Sequence, residues 1–461
     1  MIRLRRLLDT LFLLALAAYI LAGTTLTPFH ADEATQIHMS RDFAYQLLQG
    51  DYARLRYDPA APLTAETQLR LINGTVNKYA IGLAWWLAGY TVDDLNSDWD
   101  WGGGWDYNVS SGRLPSDGVL NAARLPSALF TAAGAVVMFA LGWQLGGRPT
   151  AYLAALLYAL HPVLLLNGRR AMMEGSLTFF SLLTVLAALR FARRGSWAGA
   201  LALGVAGGLT IASKHTGAAT VAAVFVACGV WAVVRLAAQA LIPSPSSNEK
   251  AATRNRIGVV RSELYPFLRL CVAALVVMGV FLVLNPAWWG GDTVQIGQTI
   301  LQWRTELLDI QAQLPGAYAD SGEQGAGWLR FVTDMQPQYY EIDSWSDIPA
   351  MQVQIAAYAA SPWTGIMADG AGVVITLLAL VGVLLLLIGV PAQPTPTRLV
   401  LIVWALAMVA ITWSSPLAWQ RYYLPVYPAI ALLAAYGPVG VWRWWRAVRA
   451  AREQAAKPAQ I

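Results

Sequence analysis

The sequence predicts an all-α polytopic membrane protein of about ten transmembrane helices, with two long outer loops carrying interfacial helices. Composition is the first ground for this. Apolar side chains make up 57% of 461 residues and charged ones 13%, roughly half the ~25% of a soluble domain. At a mean hydropathy of +0.47, the apolar surface is too large to hide in one aqueous core, so lipid must solvate much of it. The second ground is a succession of apolar runs, most of spanning length. The third is an asymmetry of basic residues between alternate loops. A soluble enzyme, a secreted disulfide scaffold and a disordered tail are excluded. Cys228 and Cys271 lie inside apolar runs and form neither a disulfide framework nor a thiolate cluster. The 32 basic residues sit beside 27 acidic ones, so the net charge of +5 does not mark a nucleic-acid binder.

The apolar runs fall near 7–26, 122–142, 151–167, 172–191, 197–213, 217–239, 266–285, 370–390, 398–413 and 425–442. Arg3, Arg5 and Arg6 precede the first, which is long and lacks a small-residue cleavage site, so it reads as an uncleaved span. Tyr79–Tyr90 is short and carries Trp85 and Trp86, which fits the interface better than a crossing. With a cytoplasmic N-terminus, 19 of the 32 basic residues face inward, while 23 acids and 13 bases face outward. A crossing at Tyr79–Tyr90 would turn the basic 243–269 segment outward. The resulting division is a first span at 1–26, an outer loop with interfacial helices at 27–121 and a bundle at 122–285. A second outer loop at 286–369, C-terminal spans at 370–442 and a basic cytoplasmic tail at 443–461 complete it.

Both outer loops exceed the length of a simple connection. The first holds an amphipathic stretch, Ala34–Leu48, with Ile37, Ala44, Leu47 and Leu48 at helical spacing and Gly50 placed to stop it. The second offers a helical pattern through Ile296, Ile300, Trp303, Leu307 and Leu308, after which aromatic residues and acids dominate. Ile242–Asn248, rich in proline and serine, reads as an inner linker.

Adjacent carboxylates, Asp32 and Glu33, follow the first span within Thr27-Pro28-Phe29-His30-Ala31-Asp32-Glu33. Either they are interfacial acids, with Asp32 or Thr27 capping the next helix, or one is a general base for a hydroxyl. Glu174 lies in the short connection after Arg169 and Arg170, where it serves a helix dipole or chemistry. Lys214 and His215 end the fifth span, and Arg421 and Tyr422 open the last. Read singly, Lys214 is a snorkelling residue and Arg421 an interfacial anchor. Together, five segments deliver acids and cations to one leaflet boundary. That set suits transfer from a lipid-linked phosphate, in which a carboxylate deprotonates the acceptor while Lys and Arg neutralise the leaving group. His30, His215 and Tyr422 adjoin these groups as candidates for acceptor or sugar contact.

Asp98-Trp99-Asp100 has a D-x-D spacing, but in a run crowded with Asp, Trp and Gly it is better read as chance. If functional, its acids would hold a divalent cation and its indoles would stack on sugars. Gly204–Gly208 falls within a span and is no nucleotide cradle.

The chain resembles the GT-C superfamily of polytopic glycosyltransferases, especially the protein O-mannosyltransferase and lipid A aminoarabinose transferase branch. The resemblance rests on Asp32-Glu33 and on Ala123-Arg124-Leu125-Pro126-Ser127-Ala128-Leu129. It extends through His161-Pro162 to Glu174, Ser213-Lys214-His215 and Arg421-Tyr422-Tyr423-Leu424-Pro425. It implies a polyprenyl-phosphate sugar donor, inversion at the anomeric carbon, Asp32 as base with Glu33 supporting it, and Glu174 as a second-site acid. Lys214, Arg421, Arg169 and Arg170 would hold the donor phosphate. No cofactor is then required and a divalent cation is optional. Partners would be the lipid-linked donor, membrane lipid and a protein, lipid or glycan acceptor, with the active site on the outer face of a cell membrane. The chain departs from relatives at Asn73-Gly74-Thr75-Val76-Asn77-Lys78, where they often carry a proline-rich signature. A transporter or flippase is the alternative, but it would place ionisable groups near mid-membrane.

Overall fold

The spans are built as helices because only a helix or a closed barrel satisfies its own backbone in lipid. The computed structural model describes residues 2–61, 63–241, 249–313, 317–390 and 393–455. The expected inner linker Ile242–Asn248 and the tail residues 456–461 lie outside them. Among the described residues the regular structure is helical, with one isolated antiparallel bridge, Ala317 to Leu417.

Six helices are long and apolar enough to cross a membrane: Asp117–Ala159, Glu174–Arg194, His215–Ala238, Leu264–Leu284, Ala371–Ile388 and Thr395–Trp413. By length and composition, then, the described residues do not reach ten. The first run falls largely in the helix Ile2–Ala22, which carries Arg3, Arg5, Arg6 and Asp9, and the fifth is a shorter apolar helix, Trp197–Ser213. The second and third runs merge in Asp117–Ala159, which is not straight. Gly147 sits at φ 69°, in the left-handed region that a side chain disfavours, and Pro149 follows. Gly134 there faces the Tyr158 hydroxyl and Gly142 faces Thr150. In a continuous helix, residues 24 apart would stand ~36 Å from one another. The chain therefore doubles back at Gly147, and its return limb ends at Ala159 before Pro162 opens the next helix, Pro162–Arg169.

One end of the bundle is tied by ordinary interfacial pairs. Arg148 Nη2 meets Asp9 Oδ2 at 2.8 Å, and the Tyr152 hydroxyl donates to the same carboxylate at 2.8 Å. Arg193 Nε donates to Thr397 Oγ1 at 2.9 Å. The opposite end carries the two long loops, 27–121 and 286–369, packed on each other. Phe29 N donates to Gln354 Oε1 at 2.7 Å and the Tyr340 hydroxyl to Phe29 O at 2.8 Å.

In the first loop the expected helix Ala34–Leu48 is broken. Ala31–Met39 is helical, Arg41–Phe43 is a single turn, and Ala44–Leu48 is π-helical. The break has a polar cause. Ser40 Oγ bonds back to Ile37 O at 2.6 Å and accepts from Trp85 Nε1 at 2.8 Å. Buried Asp42 turns inward to Arg70 Nη2 at 2.9 Å and Lys78 Nζ at 2.7 Å. Ile37 and Ala44 are buried as the pattern predicts, whereas Leu47 and Leu48 are exposed. In the second loop Thr293–Gln311 forms where the periodicity places it, burying Ile296 and Ile300 against Leu71 and Ala287.

Candidate active site

The helix Ala31–Met39 is started by His30, rather than by Asp32 or Thr27. His30 is extended, its Nδ1 accepts from Asp32 N at 3.1 Å, and its own N–H donates to Glu33 Oε2 at 3.0 Å, a reciprocal capping box. Because Nδ1 accepts, Nε2 is the donor, and it reaches Glu341 Oε2 at 2.8 Å. Helix capping thus orients a bridge between the two long loops.

The same cap separates the two adjacent carboxylates. Glu33 is fully buried, gripped by Arg124 Nε and Nη2 at 2.8 Å each and by Ala171 N at 2.8 Å. Burial pushes its pKa up, but the Arg124 guanidinium and these hydrogen bonds outweigh burial and hold it below the usual range. Both Glu33 oxygens are thus engaged in a closed site, tying the start of this helix to the helix of Arg124 and to the connection that carries Ala171.

Asp32 points the other way, with 30% of its side chain exposed. It pairs with Arg421 Nη1, while Arg421 Nε lies 2.7 Å from Glu341 Oε1. For Asp32 too, burial works upward and the Arg421 charge outweighs it, so the carboxyl sits below its usual range. Glu341 is lowered too: burial opposes, but the Arg421 charge and His30 outweigh it. Arg421 is raised well above its ordinary value, because Asp32 and Glu341 together overcome its burial.

A second pair stands beside this one. Lys214 Nζ lies 2.8 Å from Glu174 Oε1, and Glu174 Oε2 is buried without a hydrogen-bond partner among the described residues. Glu174 opens the helix Glu174–Arg194. The Tyr422 ring joins the pairs, with Lys214 Nζ 5.6 Å and Arg421 Cζ 5.5 Å from its centroid. Gly74 lies against Met173 and Ser213, the chain neighbours of Glu174 and Lys214. Its N–H meets Met173 Sδ at 3.2 Å, and a β-carbon there would collide with Ser213 O.

Arg169 and Arg170, expected at the donor phosphate, are occupied elsewhere. Arg169 donates to Ile20 O at 2.7 Å, Tyr19 O at 2.9 Å and Trp363 O at 2.6 Å, satisfying orphan carbonyls where the first helix ends. Arg170 donates to Pro28 O at 3.1 Å and Tyr339 O at 2.8 Å. It stitches the two loops together two residues before His30 and before Glu341. His215 packs edge-on against Phe281 at 6.0 Å. The structure therefore brings Asp32, His30, Arg421, Tyr422, Lys214 and Glu174 together and leaves Glu33, Arg169 and Arg170 as supports. Sequence reasoning missed Glu341, because one acid in a loop full of acids and aromatic residues carries no local signal, and it missed the partner role of Arg124.

Near this cluster is a small cavity of about 20 Å³, lined by Leu177, Thr178, Thr216, Trp404, Met408 and Pro425 among others. Its lining begins a few residues beyond Glu174, Lys214 and Arg421. Among the described residues no three His, Cys, Asp or Glu side chains are grouped to hold a metal ion.

Residues 73–297 match the model of the dolichyl-phosphate-mannose-protein mannosyltransferase family. No curated protein sequence matches the chain. Among solved structures, it is similar to the oligosaccharyltransferase AglB of Archaeoglobus fulgidus in complex with an inhibitory peptide and dolichol-phosphate, at 12% identity and a TM-score of 0.46. That match covers 98% of this chain and 53% of that one. It is also similar to ArnT of Cupriavidus metallidurans in the apo state, at 15% identity and a TM-score of 0.46, covering 93% and 58%. With the S. cerevisiae Pmt1–Pmt2 complex bound to the sugar donor, identity is 17% and the TM-score 0.39, covering 60% and 33%. The chain thus spans about half the length of the first of these. The family match over 73–297 covers a little under half of the chain.

Proposed function

We propose that the protein transfers a sugar from a polyprenyl-phosphate carrier to an acceptor hydroxyl on the outer face of a cell membrane, with inversion. The observation that carries this reading is the opposition of a partly exposed carboxylate, Asp32, to the cations Arg421 and Lys214 around the Tyr422 ring. The acceptor oxygen forms a bond to the anomeric carbon as its proton passes to Asp32. The bond from that carbon to the phosphate oxygen breaks, and its electron pair leaves with polyprenyl phosphate. Arg421 and Lys214 neutralise the leaving phosphate. Both cations are paired with carboxylates in the structure, so an arriving phosphate competes for them. Drawing Arg421 off Asp32 raises the affinity of that carboxylate for the acceptor's proton. The family match and the basic residues of the inner segments support the sidedness.

A carrier that moved solute or lipid without chemistry would need its charges along the spans, whereas these stand at one end. The test is incubation of detergent-purified protein with a panel of polyprenyl-phosphate sugars, following release of polyprenyl phosphate. Release from at least one donor is expected. Binding of every donor with no release, together with transport in vesicles, would replace the enzyme by a carrier.

A further inference from the structure

The last helix, Tyr427–Ala455, runs the length of the bundle and continues past it. The Tyr427 hydroxyl donates to Phe331 O at 2.9 Å, which fixes this end beside the second outer loop. Further along, Arg443 Nη2 lies 2.9 Å from where a β-carbon on Gly147 would stand. Gly147 is the turn at the opposite end of the bundle, where Arg148 pairs with Asp9. Arg443 therefore marks the far boundary, and the stretch 444–455 extends about 18 Å beyond it.

At that boundary the helix becomes basic and aromatic at once. Between Trp442 and Ala455 stand four arginines and one acid. Trp442, Trp444 and Trp445 are 48%, 49% and 52% exposed, whereas Leu432, Ala435 and Tyr436 earlier in the same helix are fully buried. Rings and cations share a face. Arg446 Cζ lies 4.9 Å from the Trp442 ring centroid and Arg449 Cζ 5.7 Å from that of Trp445, each pair one turn apart. Glu453 pairs with Arg449 at 2.9 Å, which leaves Arg446 and Arg452 without a carboxylate partner among the described residues. Water does not favour three half-exposed indoles, but a membrane boundary does, because rings settle among headgroups while guanidinium groups donate to phosphate.

We propose that this band, Trp442, Arg443, Trp445, Arg446 and Arg449, binds anionic phospholipid headgroups at the membrane face remote from the candidate active site. The interaction is independent of the transfer chemistry. Net charge selects the lipid. Uncompensated guanidinium groups attract a headgroup of net negative charge, whereas a zwitterionic headgroup brings an ammonium that they repel. Depth selects it as well. Arg446 stands about 4.5 Å past Arg443 along the axis, within the headgroup layer, and Arg452 about 14 Å past, beyond a screening length of about 8 to 10 Å. The contribution of each arginine therefore falls outward, whereas an acidic protein segment would engage the outermost arginine as fully as the others.

The test is titration of the full chain, purified in neutral detergent, with phosphatidylglycerol or phosphatidylcholine in the same micelles, counting retained lipid by native mass spectrometry. Phosphatidylglycerol should be retained in preference. Arg446→Gln should weaken its retention about fivefold, the size of one basic residue at an anionic surface, and Arg446→Lys should keep most of it. Arg452→Gln should change it less than Arg446→Gln does. Both arginines are exposed, so Tm should not move in any of these variants. Equal retention of the two lipids, phosphatidylglycerol retention unaltered by Arg446→Gln, or a loss as large in Arg452→Gln would overturn the proposal. Arg446-dependent binding of a Glu-rich peptide with no preference for phosphatidylglycerol would overturn it too, in favour of a protein partner.

Discussion

Arg421 Nε stands 2.7 Å from Glu341 Oε1 while its Nη1 pairs with Asp32, so one guanidinium joins carboxylates from two loops that are far apart in sequence. Glu341 also accepts a hydrogen bond from His30 Nε2 at 2.8 Å. Asp32 is therefore positioned from both sides by a residue that it does not touch.

Replacing Glu341 with Gln should leave His30 a partner but remove the second anchor of Arg421. The expected result is a fall in kcat of about tenfold or more with a smaller change in KM, and a loss of about 3 kcal/mol from a partly broken buried pair. Kinetics and thermal unfolding in detergent check both. Unchanged kcat would remove Glu341 from the positioning of Asp32.

Glu33→Gln should behave differently from any change at Asp32. It leaves Arg124 buried without its charge partner, at a cost of about 3–5 kcal/mol. Purified yield and Tm should fall before any kinetic effect is readable. A fully stable Glu33→Gln protein with no transfer activity would restore Glu33 to the chemistry.

Lys214→Ala should weaken donor binding by about 1.5–3 kcal/mol, the range for a hydrogen bond to a charged group, and Lys214→Arg should recover part of it. Titration with a non-transferable polyprenyl phosphate reads this directly. Equal affinity in the alanine variant would leave Lys214 as the partner of Glu174 alone.

Acid should destabilise the fold in a defined direction. Asp32, Glu33, Asp42 and Glu341 are all held below their ordinary values of 3.8 for Asp and 4.5 for Glu. Groups lowered in the folded state contribute stability above their unfolded pKa and lose it as pH falls through the folded value. His38 is also held below its ordinary value of 6.5 by burial and the Arg41 charge, so Tm in detergent should start to fall as pH drops below about 6.5, where the unfolded chain takes up that proton first. Below about pH 4 it should fall more steeply, as the unfolding free energy drops by no more than about 1.4 kcal/mol per pH unit for each carboxylate. A Tm that rises on acidification through that window would contradict the ion pairing.

The end of the bundle that bears the site was legible in the sequence because lipid makes charge scarce, so each charge beside a span stands out. Asp32, Glu174, Lys214 and Arg421 were found that way. The division of labour between Asp32 and Glu33 was not legible, since it depends on His30 rather than Asp32 taking the cap and on Arg124 arriving from another helix. Arg169 and Arg170 looked like phosphate ligands, but each is used by backbone carbonyls that only the folded ends of other segments present. Helix periodicity found Thr293–Gln311, yet it failed over Ala34–Leu48, where buried Asp42 and the Ser40–Trp85 hydrogen bond override the apolar pattern. Glu341 had no signal at all, because its meaning comes from His30 and Arg421.

The most direct measurement is the single-turnover transfer rate of Asp32→Asn with saturating donor, alongside its donor affinity and Tm. A carboxamide cannot accept the acceptor's proton, so the rate should fall about 10²–10⁴-fold while donor binding and Tm stay near those of the unsubstituted chain. A transfer rate within a few fold of the original, in a protein that binds donor normally, would contradict the role assigned to Asp32.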